Sequence, residues 1–167
     1  MSLYKKSLLI VLILCLFTKH NSFSQENTAN KISYTETVSI DFSKADIQSK
    51  ANTWLQSYYK NASSIIKTNN ETNLVANPHF RILNPKSDKG IQTTAGIIQY
   101  TISFEFSEGK YEYKLTDFYL KKSTNIPIEK WQDKTLPDYK QKYAYYLEQL
   151  DIYAKKTISS LKRTIKE

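Results

Sequence analysis

The sequence predicts an α+β domain: a five-stranded antiparallel sheet in the chain order β-α-β-β-β-β-α, two helices packed on one face, the other face open. Three observations carry this reading. Ile98, Tyr100, Ile102, Phe104 and Phe106 alternate with Gln99, Thr101, Ser103 and Glu105, the two-residue period of a strand with one buried face. Ile47, Ala51, Trp54, Leu55 and Tyr58 recur at helical spacing, as do Tyr143, Leu147, Leu150, Ala154, Ile158, Leu161 and Ile165. One-sided helices and a one-sided sheet bury their apolar stripes against each other, which leaves the second sheet face to solvent.

Of the 167 residues, 40% are apolar, which suits one domain of ordinary size. A count of 1 Cys and 2 His excludes disulfide frameworks, multi-cysteine zinc sites and multi-histidine metal centres. The N-terminal segment reads as an address. Lys5 and Lys6 precede an apolar run from Leu8 to Phe17, the length of a signal-peptide core and short of the roughly 20 residues of a membrane-spanning helix. Ser22 and Ser24 put small residues where a signal peptidase reads, so residues 1–24 are expected to leave by cleavage between Ser24 and Gln25. A lipid on Cys15 would anchor the chain instead, but Leu14 is large where lipoprotein signals want a small residue. The expected product is periplasmic or secreted. Losing Lys5, Lys6 and Lys19 leaves 21 basic against 16 acidic residues, a net charge of +5 instead of +8. The mature chain keeps no thiol, and His79 is its single histidine.

Residues 25–31 are polar and aperiodic, a flexible leader, and residues 32–167 form the single domain. Its first strand is Ile32 to Ile40, with Tyr34, Val38 and Ile40 facing inward and Ser33, Thr35, Thr37 and Ser39 outward. Ser43 with Asp46 starts a helix over Lys44 to Lys60: the hydroxyl accepts an orphan N–H and the carboxylate suits the positive end of the dipole. Asn61 is expected to close it, since asparagine tolerates the left-handed conformation. Ser64 to Thr68 reads as a strand, Asn69-Asn70 as a turn, and Thr72 to Leu83 as a strand with a bulge or edge at Asn77-Pro78, because proline cannot donate to a ladder. Asn84 to Gly90 carries turn residues throughout and is expected to be a mobile loop.

Tyr111, Tyr113 and Leu115 continue the alternation of the fourth strand, and keeping both apolar rows on one face requires an even loop of two or four residues. Glu108 resists the positive φ of a type I′ turn, which favours the four-residue version, Ser107 to Lys110. Phe118 and Leu120 fall out of phase with Leu115, so a bulge is expected at Asp117. A loop with Pro127, Trp131 and Pro137 follows. Asp138 is placed to cap a last helix over residues 139–166 whose free form would be marginal, so it must pack on the sheet or on a partner.

The pattern resembles a known family. Val38-Ser39-Ile40-Asp41, Ala51 with Trp54-Leu55, and the hairpin from Tyr100 to Leu115 around Glu108-Gly109-Lys110 are similar to small exported Bacteroidota proteins grouped as a domain of unknown function with a TATA-binding-protein-like (TBP-like) fold. The likeness covers residues 35–120 and implies that fold, with no reaction attached. One such fold makes half of a two-lobed saddle, so pairing of two copies through an edge strand, a homodimer, is a further expectation.

Candidate sites follow from what the fold leaves uncovered. Gln99, Thr101, Ser103 and Glu105 with Glu112 and Lys114 make the open face, expected to hold an envelope protein or polysaccharide. Their mixed charge does not suit phosphate, so no nucleic acid is expected, and the lysines of Lys140 to Lys142, Lys155-Lys156 and Lys162-Arg163 read as solvated helix faces open to peripheral contact with a membrane. The alternative is a small hydrolase of envelope polymers using Glu105 and Glu112 as an acid and base pair, which hairpin parity puts on one face. His79 lacks a glycine-flanked serine and reads as structural or solvent-exposed. Most of the aromatic residues share stripes with Ile and Leu and read as core; Trp131 and Tyr119 lie off the stripes, and Tyr145 and Tyr146 flank the last helix's seam. The aspartates lack calcium-loop spacing, no phosphate loop occurs, and no catalytic residue, metal or cofactor is expected.

Overall fold

A computed structural model describes residues 31–167; the signal peptide, the Ser24–Gln25 cleavage site, Cys15 and the leader up to residue 30 lie outside the described residues. The chain runs β1 (Tyr34–Ser39), α1 (Lys44–Tyr58), α2 (Ala62–Ile65), β2 (Ile66–Asn69), β3 (Asn73–Ala76), β4 (His79–Leu83), β5 (Thr94–Ser107), β6 (Lys110–Leu120), β7 (Ile126–Pro127), a 3₁₀ turn (Ile128–Gln132) and α3 (Lys142–Lys166). All pairings are antiparallel, in the order β1-β6-β5-β3-β2, with β4 also on β5 and β7 also on β6. Because β3 and β4 share one side of β5, and β1 and β7 share one side of β6, the sheet is five columns wide, as the alternation predicts.

The central hairpin decides the inside. Ser107 pairs with Lys110, so Glu108-Gly109 is a two-residue turn and the four-residue loop is corrected. Gly109 takes φ +69 while Glu108 stays out of the positive-φ region, so the turn avoids the strain that argued against it. Parity holds, and Tyr100, Phe104 and Tyr113 are all buried. Beyond it Gln99 pairs with Tyr119 and Thr101 with Thr116, which sets Asp117 and Phe118 together opposite Tyr100. This is the expected bulge, and Asp117 adopts φ +54 in it. The slip returns Phe118 and Leu120 to the covered face, where both are buried.

The column from Asn73 to Ile82 keeps one register along β5, Ala76 opposite Ile102 and His79 opposite Gln99, and shifts only between Ile82 and Leu83. Leu74, Ala76, Pro78, Phe80 and Ile82 are all buried. Pro78 thus interrupts the ladder without shifting it: its carbonyl accepts from the Tyr100 N–H, and the ring, having no N–H, leaves that pair without its return bond. Beyond that point the Gln149 side chain from α3 accepts from the Leu83 N–H (2.9 Å) and donates to the Leu83 carbonyl (3.0 Å), covering the strand's free edge.

Ser43 caps α1 as expected, its hydroxyl accepting from the Asp46 N–H at 3.1 Å. The helix ends at Tyr58, not Lys60, and Asn61 (φ 57) starts α2 instead of closing α1. Ser64 and Ile65 are therefore helical, and the second strand begins at Ile66. Asp138 does not cap α3, which begins at Lys142 behind Gln141 with no side-chain cap. Trp131 and Tyr146 are buried: Trp131 stacks on Tyr143 with ring centroids 5.4 Å apart. Tyr119 stays half-exposed.

Trp54 locks the layers together. It meets Phe104 of the sheet edge-on at 6.1 Å, stacks on Tyr58 at 5.2 Å, and donates from Nε1 to the Ser160 hydroxyl of α3. Helix α3, about 37 Å long at 1.5 Å per residue, lays Leu150, Ala154, Leu161 and Ile165 into the same core. Polar ties hold β1 to it: Tyr34 donates to Asp151 (3.1 Å), and Glu36 accepts from Lys162 (2.7 Å) and from the Tyr113 hydroxyl (2.6 Å). Lys162 first and Tyr113 second hold the Glu36 carboxyl below its ordinary range.

Candidate functional site

The register of β1, β6, β5 and β3–β4 arranges the outward side chains as a grid. Thr37, Glu112, Glu105 and Asn73 form one row, and Thr35, Lys114, Ser103 and Val75 the next. Thr116 and Thr101 pair in a third, and Tyr119, Gln99 and His79 make a fourth. Columns stand about 4.8 Å apart, so neighbours within a row are within reach of one ligand group. All six residues expected on this face, Gln99, Thr101, Ser103, Glu105, Glu112 and Lys114, do share it.

The grid also recruits residues that the site reading left out: Asn73, Val75, Thr116, Tyr119 and His79. His79 is exposed beside Gln99. The outward polar residues of β1 were legible as the polar side of the first strand, but only pairing with β6 sets Thr35 and Thr37 beside Lys114 and Glu112.

The chemistry of the face is hydroxyl, amide and mixed charge. Glu105 and Glu112 are directly opposed across the strands, and Thr37 donates to Glu112 at 3.2 Å. Like charges in this position repel, and Lys114 in the adjacent row offsets them in part. Near the middle, Thr116 is buried and its hydroxyl has no protein hydrogen-bond partner. Neither Glu105 nor Glu112 lines the cavities of about 810 and 390 Å³, the smaller of which reaches the grid only at Tyr119. Among the described residues no three His, Cys, Asp or Glu side chains gather as a metal would require, and no helix is long and apolar enough to cross a membrane.

A five-column antiparallel sheet with both long helices on one face and a polar grid on the other defines an α+β domain of the TBP-like class. Residues 34–121 match the family described as a domain of unknown function (DUF4468) with TBP-like fold, and the chain belongs to this family. Among solved structures it is similar to a DUF4468 family protein from Bacteroides ovatus, with TM-score 0.65 at 14% identity over 82% of this chain and 87% of that one. A TBP-like protein from Parabacteroides distasonis matches with TM-score 0.53 at 14% identity, over 79% of this chain and 93% of that one. Identities this low carry the fold alone. No curated protein matches the chain.

Proposed function

We propose that this protein is an exported, noncatalytic envelope module that holds an envelope protein or polysaccharide on its open sheet face. The observation that supports this reading is the grid itself: four rows of hydroxyl, amide and charged side chains on rigid strands, left uncovered by both long helices. Strands fix the spacing of such groups more tightly than loops do, and a polar patch with few apolar anchors suits a partner rich in hydrogen-bonding groups. The hydrolase reading uses the opposed pair Glu105 and Glu112, but Glu105 is exposed and the pair lines neither cavity, so nothing there would exclude water or hold a substrate.

Recovery of envelope components on immobilised protein, compared with a Thr101→Arg, Ser103→Arg, Lys114→Glu variant, tests the face. The variant should lose what the unsubstituted protein retains; equal recovery by both removes the face from the proposal. Self-association is a second mode, since β1 forms one margin of the sheet. Light scattering that finds a monomer at high concentration ends that mode alone.

A further inference from the structure

The helix-covered side holds a second feature, independent of the open face. Where α3 starts, the 3₁₀ turn and the loop after it stand away from the ends of β4, β5 and β6 and enclose a cavity of about 810 Å³, within the roughly 300–1,000 Å³ of small-molecule sites. Its floor is apolar: Ile82, Leu120, Ile126 and Leu136 with the rings of Trp131 and Tyr146. Tyr146 is held in place by its hydroxyl, which donates to Asn84. Trp131 is pinned between Tyr143 and Tyr146 at 5.4 and 5.5 Å.

The rim has the opposite character. Lys122, Lys130, Lys140 and Lys142 all line the cavity and all are exposed. The ion pairs of the described residues are Lys31–Asp117, Lys155–Asp151 and Lys162–Glu36, so none of the four rim lysines is neutralised by a bonded carboxylate. The rim also carries Asp133, whose carboxylate accepts from the Thr135 N–H (2.9 Å) and hydroxyl (2.6 Å) and is held in its charged form by them, and Asp138, so the four lysines outnumber two carboxylates and the rim stays net positive. The uncapped N-terminus of α3 carries Lys142 and Tyr143 into the lining, and its dipole adds to the positive field.

We propose that this cavity binds a single-chain amphiphile, its apolar tail on the Trp131–Tyr146 floor and its anionic head, carboxylate or phosphate, among the four lysines. A sugar fits worse, because hydroxyls set against Ile82, Leu120 and Ile126 would lose water without gaining partners. A wholly apolar ligand would leave the lysine cluster unused.

Calorimetric titration of the mature protein with decanoate tests the proposal, with decyltrimethylammonium and glucuronate as probes of the tail alone and the charge alone. Decanoate should bind saturably and the other two at least about tenfold more weakly. Lys140→Glu with Lys142→Glu should weaken decanoate about tenfold, whereas Thr101→Arg on the open face should leave it unchanged. If the double variant does not fold, the salt dependence of the unsubstituted protein serves instead: affinity should fall as ionic strength screens the rim. Decyl phosphate beside decanoate tells the two heads apart, the tighter one assigning the source. No saturable decanoate binding, equal binding of the cationic amphiphile, or affinity indifferent to both salt and the lysine reversals overturns the proposal, and none of these bears on the open face.

Discussion

Raising the pH is expected to unfold this protein through its buried tyrosines. The hydroxyls of Tyr59 and Tyr100 meet at 2.6 Å beneath the sheet, and Tyr100 is fully buried. Burial drives the Tyr100 hydroxyl well above its ordinary value and raises Tyr59 as well. Burial first, then the Glu36 charge, pushes Tyr111 up to about 12, and Tyr113 is raised by burial and by its hydrogen bond to Glu36. In each case the folded chain keeps a proton that the unfolded chain gives up near pH 10, so the stability is intact below that pH and is lost as pH rises toward the folded values. Each such group costs the fold about 1.4 kcal/mol per pH unit above roughly 10. For Tyr111, held at about 12, this is about 1.4 kcal/mol at about pH 11, and Tyr59, Tyr100 and Tyr113 act in the same direction against the small net stability of a domain. The assay is tyrosinate absorbance followed with circular dichroism on one alkaline titration. The buried group should ionise above pH 10 in one step with loss of the sheet signal. Complete ionisation near pH 10 with the sheet signal intact would refute the reasoning.

Three substitutions probe separate links in the fold. Trp54→Ala removes the ring that joins α1, the sheet and α3, and should cost about 3–5 kcal/mol in urea unfolding; a loss under about 1 kcal/mol would mean the layers are held elsewhere. Glu105→Lys turns a repulsive cross-strand pair with Glu112 into an attractive one and should raise stability by about 0.5 kcal/mol, an effect that shrinks in high salt; a decrease in stability contradicts the register. Asp117→Ala and Asp117→Gly both lose the exposed ion pair with Lys31, but only alanine meets a steric penalty at φ +54, so the glycine variant should be about 1 kcal/mol the more stable. Equal melting curves for these two would show that the bulge relaxes when its side chain changes.

Much of the fold was legible because strand and helix periods are local signals. Alternation from Ile98 to Leu115 set the inside of the sheet, parity required an even loop, and the phase slip after Leu115 located the bulge at Asp117. The turn length was not legible, since Glu108 and Gly109 need different φ signs and the ladder, not composition, assigns them. Asn61 was legible as a left-handed residue but not as the joint between two helices, because the same conformation ends one helix or begins another. The six candidate residues on β5 and β6 could be placed together from parity alone. Thr116 shares the parity of Glu112 and Lys114 and was legible in the same way, whereas His79 and Asn73 could not be placed, because which strand flanks the other side of β5 is a long-range choice.

The sequence by itself determined which side of each element faces water, since burial of an apolar stripe is decided by spacing along a few turns or a few strand pairs. Tertiary structure alone decided what those sides meet. It set Trp131 on Tyr143, ran Gln149 along the bare edge of Leu83, and gathered Lys122, Lys130, Lys140 and Lys142 around one hollow. The physical reason is that packing between distant segments depends on how loops close and layers register, and side chains far apart in the chain carry no periodicity that announces it.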